Sequence, residues 1–187
     1  MSWFWGACRP LNFWTQVQHI LAKDLIFIDE SCVNLALVRL FARSNKGQRA
    51  YGDHPKKRGK NVSLIGALSP KGMIAQCSLL GGTDVLTFEA FISQRLVPKL
   101  WAGACVIMDN CSIRKGNTIK TLIENAGAML LYIPTYSPEF NPYAFGGAKP
   151  YENFWSKIKR ILRQVSARTY PELAKALELT GFSPRKV

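Results

Sequence analysis

The stretch that decides the fold is LIFIDES, at residues 25–31. Four consecutive apolar residues that lead into Asp29 predict a strand buried on both faces, with a carboxylate at its C-terminal end. A second stretch of the same design, ACVIM at residues 104–108, runs into Asp109 and Asn110. Because the carboxyl ends of parallel strands meet at one edge of a sheet, the two patterns predict neighbouring aspartates in an α/β fold.

A third acid, Glu152, opens a strongly helical stretch over residues 151–163. Strand-Asp, strand-Asp and helix-Glu together favour a divalent-metal site for phosphoryl chemistry, because carboxylate oxygens are hard ligands. An acid in a first helical turn is also favoured by the helix dipole, so Glu152 taken alone is equally consistent with capping. The 3.6-residue period places Ser156, Lys159 and Arg163 on the face of Glu152. The apolar residues predicted to form the buried stripe of this helix are Phe154, Ile158, Ile161, Leu162 and Val165.

The remaining segments predict an α/β order of β-β-β-α-β-α-β-α. Two apolar segments, residues 61–68 and 73–80, flank a Ser-Pro-Lys-Gly turn and predict an antiparallel hairpin. Helices are predicted over residues 84–100, capped by Thr83 or Asp84, and over residues 113–125, with a last strand over 129–134. A short helix over residues 12–21 is a further expectation. Strand, helix and strand at this spacing form a parallel βαβ unit.

The net charge of the chain indicates the kind of molecule that it binds. The chain of 187 residues carries 25 Lys and Arg against 12 Asp and Glu, a formal net charge of +13. Such an excess favours a polyanion, since basic side chains bind phosphates with release of counterions. The most basic segment, residues 39–60, is rich in glycine and reads either as a solvated loop or as a phosphate-binding arm beside Asp29.

Composition excludes several other classes. A hydrophobic fraction of 48% indicates a globular protein, and its length fits one domain. Five cysteines without a C-x-x-C pair favour a reducing, cytoplasmic setting over a disulfide framework or a zinc site. We expect no membrane association, because no apolar run reaches the length of a membrane span.

Several stretches resemble the catalytic domain of DDE transposases, in particular the insertion-sequence 630 group of the Tc1/mariner superfamily. They are FIDES at residues 27–31, RGKNVSLIGA at 58–67, MDN at 108–110, YIPTYSPEFNP at 132–142 and ENFWSKIK at 152–159. The resemblance covers roughly residues 24–178, and the last two stretches are the most specific.

The resemblance implies an RNase H-like fold, with a mixed five-stranded sheet of three antiparallel strands then two parallel strands, flanked by helices. It implies a DDE endonuclease and DNA strand-transferase in which Asp29, Asp109 and Glu152 are the catalytic and metal-binding residues for two Mg²⁺ or Mn²⁺ ions. Asn110 would orient Asp109 or contact substrate, although a turn at the strand end explains it equally well. Glu30 is expected on the opposite face of its strand, where it would either support the metal ligands or lie at the surface. Glu139 lies where the family has an acid that is not catalytic.

The expected partner is DNA, both transposon ends and target, in the cytoplasm of a bacterium at the nucleoid. The candidate phosphate contacts are Lys56, Lys57, Arg58, Lys60, Lys157, Lys159 and Arg163. A homodimer and a separate helix-turn-helix polypeptide that recognises the ends are further expectations.

The chain departs from the family pattern at three places. Residues 143–150 are an insertion before Glu152, and Arg114 stands where the family often has a histidine. The family's helix-turn-helix region is not found in this sequence. Residues 1–23 are therefore interpreted as a remnant or linker, followed by a catalytic domain at residues 24–187. Two alternatives therefore stay open: a catalytically inactive DNA-binding remnant, and an RNase H-type nuclease acting on hybrids or junctions.

Overall fold

A mixed five-stranded sheet organises the protein. The computed structural model describes residues 13, 15–134 and 150–182, and the side chains of this part apart from those of residues 150–153. The sheet has the order β3-β2-β1-β4-β5. Its strands are β1 (Leu25–Val33), β2 (Val62–Ser69), β3 (Gly72–Leu80), β4 (Cys105–Met108) and β5 (Met129–Tyr132). The predicted sheet of five strands is confirmed.

Strands β2 and β3 form the predicted hairpin. Only two residues separate them, which requires an antiparallel pair. The Ser69 hydroxyl accepts a hydrogen bond from the amide of Lys71 at 3.2 Å, and Gly72 adopts a φ of +126° that favours glycine. The turn therefore fixes where the two strands begin to pair.

Three strands run parallel, with β4 between β1 and β5. Leu25 is aligned with Cys105 and Ile28 with Met108, while Cys105 is aligned on its other side with Met129. A helix over Asn117–Asn125 connects β4 to β5, as the predicted βαβ unit requires. Every residue of β4 is buried, which explains its uninterrupted apolar sequence.

The helices depart from prediction mainly at their ends. They are α1 (Val85–Phe91), α2 (Asn117–Asn125), α3 (Pro150–Val165) and α4 (Tyr170–Leu179). The single helix predicted over residues 84–100 is wrong beyond Phe91, because the backbone widens to a π-helical turn at Ile92–Leu96 and tightens to a 3₁₀ turn at Val97–Lys99. Pro98, which has no amide hydrogen, lies in that last turn.

The caps explain where the helices begin. Asp84, one of the two predicted caps, accepts a hydrogen bond from the amide of Thr87 at 2.7 Å. The helix predicted from residue 113 begins instead at Asn117, because residues 112–114 form a separate 3₁₀ turn and Gly116 follows it. Near the N-terminus, the α-helical residues of the described part are 13 and 15–17, so the prediction of a helix over 12–21 extended too far at its C-terminal end.

The described residues divide into two units. The first contains residues 15–30, 65–76 and 83–134, and its core includes the strand residues Ile26, Ile107 and Met108. The second contains Ser31–Leu64, Cys77–Gly82 and residues 151–182.

Helix α3 contributes its apolar face to the core of the second unit. Trp155, Ile158 and Leu162 are buried there, with Trp155 lying 5.7 Å from the ring of Phe182. The predicted apolar stripe was therefore partly wrong: Ile161 and Val165 are 38% and 46% exposed, whereas Trp155 had not been assigned to the stripe.

Candidate active site

Asp29 and Asp109 follow directly on an aligned pair of buried residues. Ile28 and Met108 are partners in the parallel register of β1 and β4, and each aspartate is the next residue in its chain. Aligned positions on neighbouring strands face the same side of a sheet, about 5 Å apart across the pair. The register thus brings together two acids that are 80 residues apart in the sequence.

The two aspartates are held differently. β4 ends at Met108, so Asp109 lies just beyond it, as predicted. The prediction that Asp29 ends its strand was wrong, because β1 continues to Val33. Asp29 therefore lies within β1, next to the position where the neighbouring strand β4 ends.

Local hydrogen bonds orient both carboxylates. Asp29 Oδ1 accepts from the amide of Glu30 at 2.8 Å, and Asp109 Oδ1 accepts from the amide of Cys111 at 3.3 Å. The Asp109 side chain is 56% exposed, which leaves it open to a ligand from solvent. Asn110, the residue after Asp109, is half-buried, and its proposed supporting role stays a prediction.

A buried arginine contacts the same carboxylate. Arg114 is 5% exposed, and its Nη1 lies 2.7 Å from Asp109 Oδ1. This contact is an ion pair rather than an aligned hydrogen bond, since Nη1 has no hydrogen bond of acceptable geometry within the described part of the chain. In the sequence, Arg114 was only a departure from the family pattern, and no role was predicted for it.

Glu30 is the second acid beside this arginine. Its Oε2 lies 3.6 Å from Arg114 Nη2, and its Oε1 accepts from the hydroxyl of Thr83 at 2.5 Å. The Glu30 side chain is 22% exposed. Glu30 was expected on the face opposite to Asp29, either at the surface or supporting the metal ligands; the structure shows it paired with the buried Arg114.

Two aromatic residues complete the surroundings of Arg114. Its guanidinium lies 5.4 Å from the ring centroid of Phe88, a cation–π arrangement. The hydroxyl of Tyr132 donates to the backbone carbonyl of Arg114 at 2.7 Å. Burial raises the pKa of Tyr132, so this hydroxyl keeps the proton that it donates.

Glu152 stands in the first turn of α3, but its side chain lies outside the described residues. The described side chains contain no cluster of three His, Cys, Asp or Glu that could hold a metal ion. Asp29 and Asp109 do fit a hard divalent cation, because both offer carboxylate oxygens and one is open to solvent. Glu139 and residues 143–149 of the predicted insertion also lie outside the described part.

Comparison with known proteins identifies the family. The family model described as DDE superfamily endonuclease matches residues 24–174. The chain belongs to this family. None of the curated proteins searched matches the sequence.

Solved structures share the RNase H-like fold of this DDE domain. A pre-cleavage Mos1 transpososome is 15% identical over 91% of this chain and 52% of that chain, with a TM-score of 0.62. The catalytic domain of Mos1 mariner transposase is 12% identical over 91% of this chain and 75% of that chain, with a TM-score of 0.56. The catalytic core of BIV integrase is 14% identical over 84% of this chain and 80% of that chain, with a TM-score of 0.50. This chain therefore spans about half the length of the transposase in the transpososome.

The basic segment of this DDE domain forms an exposed arm, which we define as residues 39–60. All but Pro55 of its residues are exposed, including the predicted DNA contacts Lys56, Lys57, Arg58 and Lys60. The other predicted contacts are on α3, where Lys157 is exposed and Lys159 and Arg163 are half-buried.

Tyr170, the first residue of α4, and Arg168, two residues before it, anchor the base of the basic arm. The hydroxyl of Tyr170 accepts a hydrogen bond from the amide of Lys60, and Arg168 Nη1 donates to the carbonyls of Leu35 and Leu37 at 3.0 and 3.1 Å. The arm is thus held at its ends and exposed along its length.

In the part of the chain that the structure describes, no helix combines the length and apolarity needed to cross a membrane.

Proposed function

We propose that this chain cleaves and joins DNA strands as the catalytic domain of a transposase of the insertion-sequence 630 group. The observation that carries the proposal is the register that pairs Ile28 with Met108, the residues directly before Asp29 and Asp109. The DDE family match and the fold shared with Mos1 transposase support the same reaction class. The family pattern assigns Glu152 as the third catalytic acid.

The proposed metal ligands are Asp29, Asp109 and Glu152, which would hold two Mg²⁺ or Mn²⁺ ions. When bound, such ions supply charge stabilisation at a phosphate and activate an attacking oxygen. The two aspartates contribute fixed position, since backbone amides orient both carboxylates before any ligand arrives. Two of the solved Mos1 paired-end complexes contain Mg and Mn respectively, which supports the choice of metal.

DNA is the proposed substrate, both as transposon ends and as target. The basic arm and the exposed lysine of α3 would bind backbone phosphates, in keeping with the net charge of +13. Because the solved Mos1 structures include a paired-end complex, we also propose a homodimer. A separate helix-turn-helix polypeptide would recognise the ends, at the nucleoid in the bacterial cytoplasm.

The decisive experiment is metal-dependent nicking of DNA that carries the element's own ends. Asp29→Asn, Asp109→Asn and Glu152→Gln should each abolish nicking in Mn²⁺. Asp24→Asn is the matched control, since it lies at the opposite end of β1 and its amide oxygen can still accept from Trp101. Binding of DNA without nicking by the unaltered protein would favour the inactive remnant, and preference for hybrids or junctions would favour an RNase H-type nuclease.

A second experiment tests the basic arm. Lys56→Gln with Lys57→Gln should lower the dependence of log K on log salt by about 1 for each phosphate that the variant no longer neutralises. The control is Lys23→Gln with Lys71→Gln, which removes the same charge from exposed positions outside the basic arm. An equal decrease of affinity in the two double variants would show that only net charge matters, and would refute the assignment of the arm.

A further inference from the structure

Arg114 is a buried cation placed between two acids of different character. Asp109, at 2.7 Å, is 56% exposed, whereas Glu30, at 3.6 Å, is 22% exposed. Both contacts reach the same guanidinium, which is covered by Phe88 on one face. The arginine thus joins an acid open to solvent to an acid that is mostly enclosed.

Burial makes these contacts obligatory. Arg114 carries a positively charged guanidinium and is 5% exposed. A buried charge left without a counter-ion is strongly destabilising, and removal of one partner of such a pair is costly. Arg114 therefore needs at least one of the two carboxylates at all times.

We propose that Arg114 is the resident cation of this site: it holds Asp109 in the metal-free protein and competes with the divalent cation for that carboxylate. This inference rests on the proposed function, because it assigns Asp109 to a metal. Arg114 is a positioning residue in this scheme and touches neither DNA nor the reacting phosphate.

Glu30 makes the exchange possible. When Asp109 becomes a ligand, Glu30 remains as the counter-ion of Arg114 and keeps the buried guanidinium paired. The hydroxyl of Thr83 holds Glu30 in place by donating to its other oxygen. Glu30 thus acts through Arg114, and its carboxylate sets how firmly the arginine pulls on Asp109.

The first test is Mn²⁺ affinity, measured by calorimetry and by the decrease of the free-ion signal in electron paramagnetic resonance. Arg114→Met removes the competing charge and keeps the contact with Phe88, so Mn²⁺ should bind at least about fivefold more tightly. Arg114→Lys keeps the charge and should fall between the wild type and Arg114→Met. Weaker or unchanged binding in Arg114→Met would overturn the proposal.

The second test uses Glu30→Gln, which keeps the shape and the contact with Thr83 and therefore preserves the fold if Arg114→Met does not. The guanidinium then has Asp109 as its remaining charged partner among the described contacts, so Mn²⁺ should bind about fivefold more weakly. A merely structural role predicts weaker binding in both variants, because each would distort the site. Competition predicts opposite signs for the two variants, and equal signs refute it.

Two controls separate this inference from the proposed function. If Asp109→Asn does not weaken Mn²⁺ binding, the assignment of the metal site is wrong and the competition with it. If Asp109→Asn weakens binding but changes at Arg114 and Glu30 do not alter it in opposite directions, the metal site stands and the inference fails. A double-mutant cycle between Arg114→Met and Asp109→Asn in metal-free protein should show a favourable coupling, and additive effects would count against the ion pair itself.

Discussion

Gly59→Ala tests the base of the basic arm more sharply than any other single change. Gly59 has a φ of +67°, and a Cβ added there would lie 2.7 Å from the hydroxyl of Tyr170 and 3.1 Å from a methyl of Leu35. The left-handed conformation costs an L-residue roughly 1–2 kcal/mol. Displacing Tyr170 also breaks its hydrogen bond with the amide of Lys60, worth about 0.5–1.5 kcal/mol. We therefore expect a decrease of about 2–3 kcal/mol in the free energy of unfolding.

The basic arm supplies its own matched controls. Gly47 has a φ of +84° with open space around it, so Gly47→Ala should cost only the conformational term, about 1–2 kcal/mol. Gly52 has neither a left-handed φ nor a neighbour within 4 Å, and Gly52→Ala should be neutral or stabilising by up to about 1 kcal/mol.

Urea unfolding followed by circular dichroism measures all three variants under one condition. Tyr170→Phe provides the fourth arm, because it removes the oxygen that the new Cβ would meet, and Gly59→Ala should cost less in that background. A Gly59→Ala variant no less stable than Gly47→Ala would show that Tyr170 does not approach the glycine. Because Gly59 lies between Arg58 and Lys60, the same variant should also weaken DNA binding without any change of charge.

Three further predictions concern helix α4 and the cysteines. Thr169→Ala breaks a capping box at the start of α4 and should cost about 1 kcal/mol in urea unfolding, while Thr169→Ser should cost less. The pKa of Glu172 is lowered, chiefly by the hydrogen bond from the backbone amide of Arg168. The ionised Glu172 carboxylate therefore stabilises the folded protein above the pKa that it has in the unfolded chain, and this stabilisation is lost as the pH falls through its pKa in the folded protein. Glu172→Gln should thus destabilise the protein at pH 7 and not at pH 2. Burial raises the pKa of Cys105 to about 12, so a thiol reagent at pH 8 should modify the exposed Cys32 and leave Cys105 unmodified, as read by mass spectrometry.

The strands were predictable because their signal is local. Four apolar residues before Asp29 and five before Asp109 mark buried strands without any knowledge of their partners. The register of Ile28 with Met108 is different, since it depends on pairing between segments 80 residues apart. The proximity of the two aspartates could therefore be predicted from the sequence, whereas the register of their two strands could be read only from the structure.

The role of Arg114 was not predictable from pattern. A charged residue after a turn is normally solvated, and what buries this one are Phe88 and the acid pair of Glu30 and Asp109, brought in from distant segments. Helix α4 was not predicted, although the sequence does contain a signal for its start. Thr169 and Glu172 have the spacing of a capping box.

The two aspartates are anchored differently, and Arg114 contacts the one that lies beyond the end of its strand. Asp29 lies within a strand that continues to Val33, so the pairing of that strand already limits where its carboxylate can go. Asp109 lies beyond the last residue of β4, where one amide hydrogen bond of 3.3 Å is the local restraint. A carboxylate in a turn has more freedom than one in a strand, and the buried guanidinium of Arg114 restricts it without closing its exposed side. The expected consequence is that removal of the Arg114 side chain loosens Asp109 more than Asp29, which carboxyl relaxation measured by NMR on selectively labelled aspartates would detect; equal loosening of both would contradict this division of labour.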